Sequence, residues 1–135
     1  MDLNIAMRLA ASGMKVQSAR LRVTAENLAN AESTGSSPGA DPYRRKTISF
    51  GSVADRDLGA KLVDVTRYGE DQSDFEMRHE PGHPAADANG YVKYPNVEPL
   101  AELSDMREAQ RSYEANLKSM ELARSMLTRT LDLLR

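Results

Sequence analysis

Apolar residues recur at alternating steps of four and three at both ends of this chain. Near the N-terminus the row runs Leu3, Met7, Ala10, Met14, Gln17, Leu21, Thr24 and Leu28. Near the C-terminus it runs Leu103, Met106, Gln110, Tyr113, Leu117, Met120, Arg124, Leu127, Leu131 and Leu134. Such steps gather side chains on one stripe of a helix, and a sustained seven-residue repeat keeps that stripe facing another helix. The pattern predicts a mainly α protein with long N- and C-terminal helices that pair as a coiled coil. Most of such a chain is interaction surface.

Glycine and proline divide the sequence in the same way. All six prolines and seven of the eight glycines lie between Gly35 and Pro99, leaving both ends free to be helical. The first helix is expected from about Leu3 to Ala31, with Asp2 as its cap. The polar run from Glu32 to Gly39 ends it. Gly13 and the serines and alanines around it allow close approach by neighbours. The last helix starts at Asn96 or Glu98, both compatible with Pro99 in a first turn. Residues 1–33 and 97–135 thus read as the two helices of a coiled-coil domain, and 34–96 as a small β and loop domain.

Within that middle part, Tyr43–Val53 and Lys61–Tyr68 alternate in part like strands, and Ala54–Ala60 is long enough for a hairpin loop. A further short strand fits Phe75–His79. These predict one two- or three-stranded antiparallel unit, marginal alone and in need of support. Glu80–Pro99, with four prolines and an Asn89-Gly90 turn signal, reads as loop, anchored by Tyr91, Val92 and Tyr94.

Composition narrows the function. A net charge of −2 offers no bulk attraction to nucleic acid or anionic lipid. Arg44, Arg45 and Lys46, the one consecutive basic run, read as a solvated loop or an interface contact. The absence of cysteine excludes disulfides and thiolate ligands. No stretch approaches the roughly 18 apolar residues that cross a bilayer, so direct membrane insertion is not expected. No signal peptide is expected from the N-terminal residues, so work outside the cytoplasm would need another export route.

One motif suggests chemistry. His79-Glu80-Pro81-Gly82-His83 matches the H-E-x-x-H zinc signature, which requires a helix to bring both imidazoles to one face. Pro81, Gly82 and Pro84 disfavour that helix, and Pro81 pushes Glu80 toward extended geometry. No phosphate loop, nucleophile elbow or calcium-loop spacing is present. The expectation is a protein without catalytic residues, metal or cofactor.

Ser12–Thr34, in which the helix ends on Asn27-Leu28-Ala29-Asn30 and Thr34 follows, resembles the N-terminal signature of flagellar rod and hook proteins. Pro42-Tyr43-Arg44-Arg45-Lys46 and the block from Pro81 to Val97 are similar to the proximal-rod members of that family. In that block Gly82, His83, Pro84, Gly90, Tyr91, Pro95, Asn96 and Val97 carry the likeness. Met106–Met126, with Tyr113, Glu114, Ala115 and Asn116, resembles the family's C-terminal helix. The resemblance implies a structural subunit of the basal-body rod, which crosses the periplasm and transmits torque from motor to hook. It implies packing with copies of itself and with other rod subunits. It also implies passage through the flagellar type III export apparatus without a cleaved signal peptide. Leu21, Leu28, Tyr113, Leu117, Met120 and Leu127 are then the expected interhelical contacts, and Asn27 and Asn30 cap or bridge at the helix end. The polar seam residues Gln17, Thr24, Gln110 and Arg124 become lateral contacts. A sister rod subunit, or a two-helix adaptor or export chaperone, would share the seams; the Pro81–Val97 block argues against them.

Overall fold

A computed structural model describes residues 2–135. Two long helices flank four strands, in the order α1 (Leu3–Ala29), β1 (Lys46–Asp55), β2 (Ala60–Glu70), β3 (Glu76–His79), β4 (Tyr91–Tyr94) and α2 (Pro99–Leu133). Asp2 caps α1 as expected: its Oδ1 accepts from the amides of Asn4 and Ile5 at 3.0 and 3.4 Å. The helix stops at Ala29, two residues short of the expected end. Asn30 there donates its side-chain amide to the Glu26 carbonyl at 2.8 Å and accepts from the Ser33 hydroxyl at 3.0 Å. Side chains thus close the last turn. Of the two starts open for α2, the structure selects Glu98, whose carbonyl accepts the Glu102 amide at 3.1 Å, with Pro99 as the first helical residue.

The strands form two separate two-stranded sheets, β1–β2 and β3–β4. The first is a long ribbon turned by Arg56–Gly59. Asp55 Oδ1 accepts from the Asp57 and Leu58 amides at 3.0 and 3.2 Å, and Gly59 takes a φ of 61°. In the second sheet Glu76 faces Tyr94 and His79 faces Tyr91 in antiparallel register. This corrects two expectations. The strand near Phe75 joins a partner of its own and is not a third member of one sheet, and the segment read as loop contributes that partner. Four residues between Gly90 and Pro95 are too few to show a period. Pairing with β3 makes them a strand, and they bury Val92 and Tyr94 with Ala85 as a small core.

The chain forms two compact units. The first takes α1 up to Leu21, Ile48–Arg67 and α2 from Arg107 on; the second takes Arg22–Thr47 and Tyr68–Met106. The most buried helical positions are small or polar: Ala10, Val16, Val23, Thr24 and Asn27 on α1, and Glu102, Ala109 and Ala123 on α2. Within the first unit, a Cβ placed on Gly13 would lie 2.7 Å from Asn116 Nδ2. The Asn116 side chain thus occupies the space that a larger residue at position 13 would need. Arg20 and Glu108 pair there at 3.3 Å.

Candidate functional site

The best-built constellation is a polar clamp in the second unit, organised by Asn27 and Glu102, both fully buried. Asn27 sits near the end of α1, and all of its hydrogen-bonding capacity is used. Its Oδ1 accepts from the Lys46 amide at 2.8 Å and from the Tyr43 hydroxyl at 2.7 Å. Its Nδ2 donates to the Lys46 carbonyl at 2.9 Å and to Glu102 Oε2 at 3.4 Å. One amide side chain therefore pairs like a strand with the first residue of β1. It also ties α1 to the first turn of α2.

Glu102 Oε1 is bound by Arg45 Nε. Arg45 also lies 3.6 Å from Asp71 and 3.9 Å from Asp105. Burial opposes the charge of Arg45, but its hydrogen bond to Glu102 and the three carboxylates outweigh that, and its pKa rises further. Burial, followed by the charge of Glu26, holds the Tyr43 hydroxyl above its usual pKa. A buried carboxylate is tolerable only when paired and hydrogen-bonded, and removal of one partner costs about 3–5 kcal/mol.

Asn96 repeats the device one layer on. Its Oδ1 accepts the Arg45 amide at 2.8 Å, and its Nδ2 donates to the carbonyls of Asp71 and Ser73 at 2.9 and 3.3 Å. The basic run is therefore not a solvated loop. Arg44 donates to the Asp71 and Ser73 carbonyls and lies 4.2 Å over the Phe75 ring, Arg45 holds Glu102, and Lys46 pairs with Glu26.

The Pro81–Val97 block is a built turn. Asp87 Oδ1 accepts from the amides of Asn89 and Tyr91 at 2.9 and 3.0 Å. Gly90 takes a φ of 83°, and a Cβ on it would meet His79 Nε2 and Pro81 Cγ at 3.1 Å. No other residue fits there without strain. Gly82 and Pro84 lie exposed in the turn, whereas Pro95 and Val97 are buried and Tyr91 is exposed. His79 ends β3 and meets Tyr91 edge-on at 4.9 Å; His83 Nδ1 accepts the Ala85 amide at 3.0 Å. The two imidazoles do not share a helical face, so the zinc signature is a coincidence of spelling.

The seam residues fall elsewhere. Leu21, Leu28, Tyr113, Leu117 and Met120 are half-buried and Leu127 is exposed. Glu114 and Ala115 are exposed, while Asn116 lies against Gly13. Among the polar interruptions Thr24 is buried, Gln110 and Arg124 are exposed, and the buried Gln17 Oε1 has no donor among the described residues.

Sequence reasoning flagged Asn27 and Asn96 but missed Glu102. An acid in a helix's first turn reads as a partner of the helix dipole. One signal was available: Glu102 stands seven residues before Ala109, on the buried stripe of α2. The clamp's polar groups are spent on one another. Its chemistry is that of a fastening.

Two family models match the chain. One, described as flagella basal body rod protein, covers residues 7–35; the other, the C-terminal part of the flagellar basal body rod FlgEFG proteins, covers residues 88–133. The flagellar basal-body rod protein FlgC of Agrobacterium fabrum is 53% identical over 133 residues, spanning 98% of this chain and 96% of that protein. The FlgC of Salmonella typhimurium is 42% identical, over 93% and 92% of the two chains. The FlgC of Bacillus subtilis is 34% identical, over 94% and 95%.

Proposed function

Because the chain belongs to the FlgC family of flagellar basal-body rod proteins, we propose that it builds the rod by packing its two terminal helices side by side with those of neighbouring subunits. It is a structural protein of the flagellar basal body, not an enzyme, and it assembles with other rod components. In this reading residues 1–33 and 97–135 form the axial domain and 34–96 the small middle domain. The helices pair as a coiled coil along their heptad stripes, copies of the chain lie beside one another, and torque passes through their lateral contacts. Passage through the flagellar export apparatus places the subunit in the periplasm. No described helix is long and apolar enough to cross a membrane.

The observation that carries the proposal is the far end of α2. From Arg124 to Arg135 every residue is exposed, yet Met126, Leu127, Leu131, Leu133 and Leu134 lie in that stretch. A helix that presents this much apolar surface to water on its own demands a partner. Each Leu or Met covered by a neighbour contributes about 1.5–3 kcal/mol. Leu21, Leu28, Tyr113, Leu117, Met120 and Leu127 are assigned to the interhelical contacts.

Leu117→Asp tests this reading. The variant is expected to be expressed at normal level, to be missing from isolated basal bodies and to abolish swimming. Normal swimming would overturn the proposal.

A further inference from the structure

The first unit carries a cleft of 660 Å³ between one face of α1 and the tip of the β1–β2 ribbon. Its floor is aliphatic, built from Ala11, Val53, Ala54, Leu62 and Val63. Most of the charges around it are already matched. Lys15 pairs with Asp64 at 3.0 Å, and Asp55 accepts from the amides of its own turn and keeps its charge, which leaves the lining with one net positive charge. Arg8 and Arg56 also line the cleft; both are exposed, and neither has a carboxylate partner among the described residues. Two unpaired guanidinium groups around an aliphatic floor call for a ligand of opposite character, aliphatic side chains with a carboxylate beside them.

The chain itself presents such a surface in its second unit. At the start of α2, Leu100 is 76% exposed and Leu103 is 38% exposed. Glu98 is exposed beside them, with its carboxylate in no ion pair among the described residues. No Lys or Arg occurs from Tyr94 to Met106. The leucines at the far end of α2 fit less well, because Arg129 and Arg135 flank them and would face the cationic rim.

We infer that the cleft of one copy receives the Glu98, Leu100 and Leu103 edge of a neighbouring copy, with Glu98 meeting Arg56. The two patches differ, so the contact is head-to-tail and leaves each copy with a free patch for the next. Charge pairs of this kind fix partner and register more than they add affinity. The inference rests on the rod-subunit reading and adds to it a specific surface between copies.

The cysteine-free sequence makes the test direct. Arg56→Cys and Glu98→Cys are combined in one chain, basal bodies are isolated from cells, and a short bis-maleimide bridges thiols about as far apart as the ends of an Arg–Glu pair. A ladder of dimers and higher multimers, absent from either single variant, is expected. A product that stays monomeric, or an adduct with a different protein, would overturn the inference while the chain's presence in the basal body still upheld the rod reading. Absence of the parent chain from basal bodies would overturn both. A charge exchange gives a second readout. Arg56→Glu should cut the chain retained in basal bodies at least fivefold, and adding Glu98→Arg should restore it to within twofold. Failure of that rescue would assign the cleft to another rod component and overturn the inference.

Discussion

Replacing Asn27 is the sharpest probe of the clamp. In Asn27→Ala the Lys46 amide and carbonyl lose their partners at 2.8 and 2.9 Å, beside a position that is itself fully buried. The Tyr43 hydroxyl is only half-buried and can turn to water, so it adds little. Two stranded backbone groups cost about 1–3 kcal/mol each. Alanine returns about 0.5 kcal/mol through better helix propensity. The net loss is then about 3 kcal/mol, and a unit of this size loses about 4–8 °C of melting temperature per kcal/mol. Thermal unfolding of the purified chain should therefore fall by about 12–24 °C. Hydrogen exchange should show the Lys46 amide losing protection first. Asn27→Asp keeps both acceptor contacts but sets a second carboxylate beside Glu102. It also loses the amide group that donates to the Lys46 carbonyl, so it too should melt below the parent. An Asn27→Ala variant that melts no lower than Lys118→Ala, a change on an exposed face of α2, would refute this role of Asn27.

The other expectations concern packing and charge. Gly13→Ala pushes a methyl group against the Asn116 side chain, an overpacking of about 1–3 kcal/mol that the helix gain of about 1 kcal/mol offsets in part. Asn116→Ala in the same chain should recover the loss; a double variant that melts no higher than Gly13→Ala would refute this contact. The Ser73 amide, followed by its hydroxyl and the nearby guanidinium groups of Arg45 and Arg44, holds the Asp71 carboxylate below its usual pKa. A lowered pKa contributes stability above the unfolded value of about 3.9 and loses it as pH falls through the folded value. Acid titration should show the second unit steady down to about pH 4 and weakening below it. Asp71→Asn should lack that part of the acid limb, and an unchanged acid limb would remove Asp71 from the account.

The helices were legible in the sequence because helix formation follows from local features. Proline and glycine are segregated away from both ends, Asp2 stands where a cap is needed, and the apolar steps repeat for several turns. The β1–β2 ribbon was legible for the same reason, since its strands alternate and its turn holds Asp55 and Gly59. The β4 strand was not, because four residues carry no measurable period. The partners of the basic run were not legible, because a cluster of cations shows nothing of the separate groups that each one finds.

What the sequence determined by itself is therefore the linear plan: two long helices, an interrupted middle, no disulfides, and a family likeness carried by Asn27, Asn96 and the Pro81–Val97 turn. Tertiary structure decided the pairings across long separations. Arg45 reaches Glu102 across 57 residues and Asn27 reaches it across 75. It also decided which stripe positions lie deepest. Ala109 and Ala123 are buried and Gly13 lies under the Asn116 side chain, while the larger seam residues stay half-buried or exposed. Periodicity reports which side chains share a face. How near the opposing backbone comes depends on the side chains of both elements, and that information exists only once they have met.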